Sequence, residues 1–170
     1  MKLVKATERD ITLIQDLAKK SWENAYAEVL SDQQVKYMLE TMYSKEEIIE
    51  HLKNPNYHYD LIWDENKNSF DGFIGYEHNY EIETTKLHRI YLLPESKGKG
   101  FGKEAILFLA RQALETGDKR IILNVNKYNS AINFYKSLGF SVYGEGIFDI
   151  GNNFFMDDYL MELLIHDKVD

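Results

Sequence analysis

The sequence contains no cysteine. Disulfides, thiolate nucleophiles and thiolate metal ligands are therefore excluded, and such a chain suits a reducing cytoplasm. Long apolar runs are missing too. None approaches the ~20 residues that a helix needs to span a bilayer, and the opening MKLVKATERD lacks the apolar core of a secretion signal. A cytoplasmic location without a membrane partner is the expectation. Basic charge is scarce: 20 Lys and Arg stand against 28 Asp and Glu, for a net charge of −8. Phosphate backbones call for a basic surface, so nucleic acid is not expected as a partner. A cationic substrate gains mildly from steering in such a field. No internal repeat, low-complexity tract or linker is visible, and 1–170 is read as one domain.

What the chain does have is a normal globular core composition, 44% hydrophobic, which excludes a disordered protein. Tyrosine is plentiful, with 12 copies; tyrosines commonly line pockets that need apolar area and a polar tip. Lys2 to Lys5 reads as a short strand. Thr7-x-x-Asp10 resembles a capping box, and apolar positions Ile11, Ile14, Leu17, Ala18 and Trp22 follow at helical spacing. Ser31 and Ser44 start two further helices, the second stopped by Asn54-Pro55. From Tyr57 the period becomes that of strands: Tyr57 to Asp64, Asp71 to Tyr80, and about Thr85 to Leu93. A helix over Glu104 to Glu115, a strand over Arg120 to Asn126 and a short helix over Ser130 to Leu138 come next. Phe140 to Tyr143 and Phe155 to Ile165 close the chain as strands. The fold class is α/β (α+β), antiparallel first and βαβα afterwards.

The densest chemistry lies at Lys97 to Lys103, KGKGFGK, between the strand ending in IYLLP and the following helix. A glycine-rich turn that opens a helix leaves backbone N–H groups aimed outward at the positive end of the helix dipole, a natural seat for a pyrophosphate. Glycines allow close backbone approach, and Lys97, Lys99 and Lys103 add positive charge. Two commoner motifs fail on spacing. A dinucleotide fingerprint counted from Gly98 or Gly100 ends on Lys103 or Ala105, and a nucleotide P-loop would need Ser or Thr where Glu104 stands.

The loop and its strand resemble the GNAT superfamily of acetyl-CoA-dependent N-acetyltransferases, whose motif is Arg/Gln-x-x-Gly-x-Gly/Ala after a strand such as L-Y-V-x-P. Here Ile90-Tyr91-Leu92-Leu93-Pro94 matches the strand and Lys97-Gly98-Lys99-Gly100-Phe101-Gly102 the loop, with Lys97 replacing the bidentate Arg. NVNKYNSAINFYKSLGF (Asn124 to Phe140) is similar to the superfamily's second signature. The resemblance implies a mixed central sheet with helices on both faces, splayed at the acetyl-CoA site. It also implies that the backbone of Ile90, Tyr91 and Leu92 pairs with the pantetheine arm, that the amides of Lys99, Gly100, Gly102 and Lys103 hold the pyrophosphate, and that Asn129 touches the arm. An N–H near Leu92 would polarise the thioester carbonyl.

Tyr135 would protonate the departing thiolate. An aromatic pair on an amphipathic helix is also a common core feature, so the motif context carries that assignment. For the proton of the attacking amine, His88 has a suitable ordinary pKa, with Glu77 and Glu83 as weaker candidates. Strand alternation predicts Lys86 and His88 on one face, Leu87 and Arg89 on the other. No metal is expected.

SWENAYAEVL and the tail FDIGNNFFMDDYLM look like the bacterial spermidine/spermine N-acetyltransferase-like branch, in which Trp22 and Tyr26 would border the acceptor pocket. The tail pattern runs through Phe148, Gly151, Asp158 and Met161. The expected reaction is direct transfer from acetyl-CoA to a small cationic amine, such as a polyamine. Acetylation of a protein N-terminus or lysine, and a non-catalytic acyl-CoA-binding module, are the alternatives. Homodimerisation, common in the superfamily, would use the apolar C-terminal strand.

Overall fold

Local signals set most of the element ends. After strand β1 (Lys2–Lys5), the Thr7 amide donates to Asp10 Oδ2 at 2.8 Å, which closes the capping box. Helix α1 (Ile11–Ala25) follows and buries Ile11, Ile14, Leu17, Ala18 and Trp22 along one stripe. Helices α2 (Asp32–Met42) and α3 (Lys45–Lys53) start where Ser31 Oγ and Ser44 Oγ accept the amides of Gln34 and Glu47, both at 3.1 Å. Strands β2 (Tyr57–Asp64), β3 (Ser69–Glu81) and β4 (Thr84–Leu92) form an antiparallel meander. Then come α4 (Phe101–Glu115), β5 (Arg120–Asn126), α5 (Ala131–Ser137) and a hairpin of β6 (Ser141–Gly151) with β7 (Phe154–Leu164). This computed structural model describes residues 1–166.

Two elements depart from the sequence reading. Strand β6 runs on to Gly151 rather than stopping at Tyr143, because it pairs with β7 along its whole length. Gly144 and Gly146, together with exposed polar positions, mask the alternation that would have extended it. Helix α4 begins at Phe101, not Glu104. Gly100 takes the left-handed conformation (φ +80°) and turns the chain into the helix, while the Phe101 ring is drawn into the core at 7% exposure.

The seven strands lie in the order β1-β2-β3-β4-β5-β7-β6. Every pair is antiparallel except β4 with β5, which run parallel and touch only where Thr84–Lys86 meets Arg120–Ile122. Beyond Lys86 the two strands part. From there β4 stays on β3 and β5 stays on β7, so each presents a free edge to a widening gap.

The two faces of the sheet carry different cores. Under α4 and α5 lies a mainly aliphatic cluster that includes Ile74, Leu87, Ile106, Leu109, Ile121, Leu123 and Met161. Burying each such side chain contributes about 1.5–3 kcal/mol. Under α1, α2 and α3 the cluster is largely aromatic, with Trp22, Tyr26, Tyr43, Tyr57, Tyr59 and Phe73.

A bulge in β4 decides which side chains reach which face. Gly75 pairs with Arg89 and Tyr76 with Leu87, which leaves His88 as one extra residue. The alternation expected across Leu87 and Arg89 is therefore broken. Leu87 joins the aliphatic core, whereas Arg89 follows His88 to the aromatic side and donates to Tyr59 Oη (2.7 Å) and the Met42 carbonyl (2.8 Å).

Candidate active site in the splayed sheet

The gap between β4 and β5 holds a cavity of about 170 Å³, walled by Leu87–Leu92, by Leu123, Asn124 and Val125, and by Tyr26, Asn129 and Tyr135. One edge of this cavity is bare backbone. Leu93 N donates to the Asp71 carbonyl at 2.8 Å, so Leu93 and Asp71 form a hydrogen-bonded pair. The next pair, Leu92 with Gly72, is then of the non-hydrogen-bonded kind. The N–H and C=O of Leu92, and by alternation those of Ile90, thus face the gap. Tyr91 spends its backbone groups on β3, so two of the three residues expected to pair with an added strand are free to do so.

At the mouth of the gap the loop has the geometry of an anion seat. Gly98 and Gly100 sit at φ +83° and +80°, with no atom within 4 Å of where a Cβ would stand, so open space covers both. The first helical bond of α4 runs from Glu104 N to the Gly100 carbonyl (3.1 Å). The amides of Phe101, Gly102 and Lys103 therefore have no acceptor in their own helix. This arrangement fits a pyrophosphate. Three expectations change in detail. The Lys99 amide is taken by the Ser96 carbonyl (3.3 Å). The Lys99 ammonium turns away to Asp64 (2.8 Å) and Asp71 (3.6 Å), two buried carboxylates that neutralise it. Gly102 serves packing: a Cβ there would stand 3.0 Å from the Phe134 ring of α5. Lys97 and Lys103 stay exposed beside the seat.

Tyr135 projects from α5 into the cavity wall and is 8% exposed. Burial, and secondarily Tyr26, pushes its phenol well up, which keeps the proton on the oxygen. Asn129 Oδ1 accepts the Ala131 amide (2.8 Å) and starts α5. From the opposite wall the Tyr26 hydroxyl meets the Tyr91 hydroxyl at 3.2 Å. Trp22, expected with Tyr26 beside the acceptor pocket, lines a separate groove between α1 and α2 together with Tyr26; in the present cavity it is 1% exposed and lies behind Tyr26 and Tyr91, with ring centroids at 4.8 and 5.5 Å. It supports the wall without lining this cavity.

The structure joins two candidates that the sequence kept apart. His88 Nε2–H donates to Glu77 Oε2 (3.0 Å), and Asn54 donates to the other oxygen of Glu77 (3.1 Å). Tyr57 stacks on the His88 ring at 4.9 Å. Burial outweighs the neighbouring carboxylate and draws the imidazole down to about 4, so it is neutral at physiological pH. Glu83 is elsewhere, paired with Lys119 at the β3–β4 turn.

Residues 14–140 match the acetyltransferase (GNAT) family. The chain belongs to that family. It is an acetyl-CoA-dependent N-acetyltransferase, and its mixed, splayed sheet is the GNAT fold. Among its relatives is the spermidine N(1)-acetyltransferase of Thermoplasma acidophilum, 26% identical over 141 residues that cover 81% of this chain and 86% of the relative. The PaiA N-acetyltransferase of Thermoplasma acidophilum, solved in complex with coenzyme A, superposes with a TM-score of 0.80 at 23% identity, covering 96% of this chain and 98% of that one. A chimera of the Vibrio cholerae spermidine N-acetyltransferase SpeG superposes at 0.69 with 20% identity, covering 96% and 94%.

In the acetyltransferase cleft, and on the strands around it, are groups that sequence reasoning did not assign to it. Ser21 on α1 lines the cavity, and its buried hydroxyl has no partner among the described residues. Asn124 turns an exposed amide into the gap from β5. Asp158, noted in the sequence only as part of a tail pattern, is 7% exposed on the aromatic side of β7, and its Oδ1 is buried without a partner among the described residues. The one signal available was an acidic residue at a core-facing position of the strand, two residues after Met156.

Proposed function

We propose that this acetyltransferase moves an acetyl group to a primary amine of a small cationic acceptor, such as a polyamine, by direct transfer while both substrates are bound. The observation that carries this is the opposition of two walls across one gap. On one side are the free backbone of Ile90 and Leu92, the glycine loop and Tyr135. On the other are Tyr26, Tyr91 and the His88–Glu77 pair. Similarity to a spermidine N(1)-acetyltransferase over most of both chains supports the cationic class, as does the net charge of −8.

Acetyl-CoA, when bound, supplies the activated thioester. The amides of Phe101, Gly102 and Lys103 hold its pyrophosphate at the positive end of α4. Ile90 and Leu92 align the pantetheine amides as an added strand would, and the Leu92 N–H polarises the carbonyl. Neutral His88, oriented by Glu77, takes a proton from the acceptor nitrogen at Nδ1. Tyr135, held protonated by burial, gives its proton to the leaving sulfur. Most of the acceleration comes from holding the reacting groups together, and a chain without cysteine forms no acyl-thioester on itself.

Thiol release from acetyl-CoA across a panel of polyamines, aminoglycosides and peptides tests this proposal. Turnover with polyamines is expected. Protein that binds CoA and turns over no amine or peptide would sink it, and activity confined to peptides would redirect it to protein acetylation.

A further inference from the structure

Asp158 resembles no other carboxylate on this sheet. Its neighbour Asp157 holds Lys127 at 3.0 Å, and Glu162, two positions further along the same face, lies 3.4 Å from Arg120. Asp158 is as buried as a core residue, yet its Oδ1 meets no partner among the described residues. Burial, and secondarily the charge of Asp157, pushes its carboxyl up to about 6 against the smaller opposing pull of Lys86. An unpaired carboxylate inside a protein is a destabilising feature. The question is what such a group faces.

The strand register answers it. Asp158 pairs with Asn126 on β5 and with Gly146 on β6. It shares a face with Met156, which packs into the aromatic core under α1 to α3. That is the face on which the acceptor wall stands. Two groups reach the same area. Tyr26 packs in the same aromatic cluster as Met156, the residue one step along this face of β7 from Asp158. From β6, the Phe148 ring leans over Gly146 and comes within 2.9 Å of where a Cβ would stand. Phe148 is 39% exposed, so it forms an aromatic rim beside the carboxylate.

The geometry points to Asp158 as the residue that grips an ammonium group of the acceptor, with the Tyr26 hydroxyl and the Phe148 ring completing the seat. A cation would give the stranded oxygen its missing partner through a charge-assisted hydrogen bond, and an aromatic face beside it favours the same charge. The seat selects alkylammonium acceptors, di- and polyamines among them, over neutral amines. It rests on the amine acetylation proposed above and adds the residue that recognises the charge.

The test is calorimetric titration of CoA-loaded protein with spermidine, in the wild type, Asp158→Asn and Asp158→Glu, together with the CoA affinity of each. Asp158→Asn should weaken spermidine by about 10-fold or more, with Asp158→Glu recovering part of the loss and CoA affinity the same in all three. In steady state KM for spermidine should rise while kcat at saturation stays within about 2-fold. An Asn variant that binds both ligands as the wild type does, or that loses kcat alone, overturns the assignment. If that variant also loses CoA, Phe148→Ala at the exposed rim decides: an unchanged spermidine affinity overturns the seat, and a drop with CoA affinity intact supports it. A wild type that binds CoA but neither binds nor acetylates any alkylamine overturns the cationic-acceptor proposal, and the seat with it. Loss confined to the variants bears on the seat alone.

Discussion

The two faces of the sheet are built to different rules. The buried positions of α4 are Phe101, Ala105, Ile106, Leu109, Ala110 and Ala113, and none brings a polar group inward. Beneath α1 to α3 the core is threaded with hydroxyls, an imidazole and a guanidinium. Arg89 lies 4.2 Å from the Tyr43 ring centroid, bonds Tyr59, and through it meets His51, whose Nδ1 lies 2.8 Å from the Tyr59 oxygen. An aliphatic layer can be rigid and chemically silent, which suits a support for a cofactor helix. The bonded set of Arg89, Tyr59 and His51 fixes side chains in direction as well as position, which suits a wall that must orient an acceptor. Apart from Tyr135, which reaches the gap from α5, and the Tyr76–Asp60 pair, polar groups thus gather on one face, and substitutions can test how cleanly.

The largest effect is expected from Arg89→Ala. It strips the donor from Tyr59 and from the Met42 carbonyl and opens a cavity in the aromatic core. Chemical denaturation should show a loss on the order of 3 kcal/mol; a loss below about 1 kcal/mol would mean that the polar network is ornamental. Next comes Tyr135→Phe, which leaves the fold intact and should slow kcat by ~10²-fold with little change in the KM for acetyl-CoA. An unchanged rate would remove the phenol from the chemistry.

Asp158→Asn should affect stability in the opposite sense from an ordinary core mutation. The carboxyl titrates near 3.8 when unperturbed and at about 6 in the fold. Between those values the folded chain keeps a proton that the unfolded chain has lost. Stability therefore falls as pH rises through that window and stays lower above it. Removing the charge should raise stability near neutral pH by up to about 2 kcal/mol and change little at pH ~4, as melting curves at the two pH values would show. A variant less stable than the wild type at neutral pH would mean that the carboxylate is not stranded.

The smallest effects separate the lysines of the loop. Lys97→Arg should tighten CoA by only a few-fold, about 2–5, through a bidentate grip on phosphate. Lys99→Met should leave CoA affinity nearly unchanged but lower the melting temperature, because Asp64 and Asp71 lose a cation. Calorimetry and melting curves on the pair decide it, and equal losses of CoA binding would undo the distinction.

How much of this could be read in the sequence follows from distance along the chain. The glycine loop and the order of elements depend on neighbours a few residues apart and were legible, whereas the roles of Tyr135 and Asn129 were implied by resemblance. The free edge of Ile90 and Leu92 was implied by resemblance. What required the folded chain was pairing between distant strands. His88 meets Glu77 only through the β3–β4 register, and Lys99 meets Asp64 across 35 positions. Asp158 reaches the face of Met156 and Tyr26 only through the pairing of β7 with β5 and β6. Trp22 and Tyr26 have the same helical spacing in the sequence; only depth distinguishes the supporting ring from the lining one.

The bulge at His88 has a consequence for how β4 tolerates change. A strand counts its residues in twos, and β4 carries an odd number where β3 opposite carries an even one. Removing Ile90 or Tyr91 would turn every side chain on one flank to the wrong layer. Removing His88 would not: Lys86, Leu87, Arg89, Ile90, Tyr91 and Leu92 would keep their faces, and the ladder would become regular from Lys86 to Leu92. His88 is the single supernumerary residue of the strand. The architecture could be assembled without it, and what its deletion would take away is the imidazole beside Glu77 and the kink that carries it.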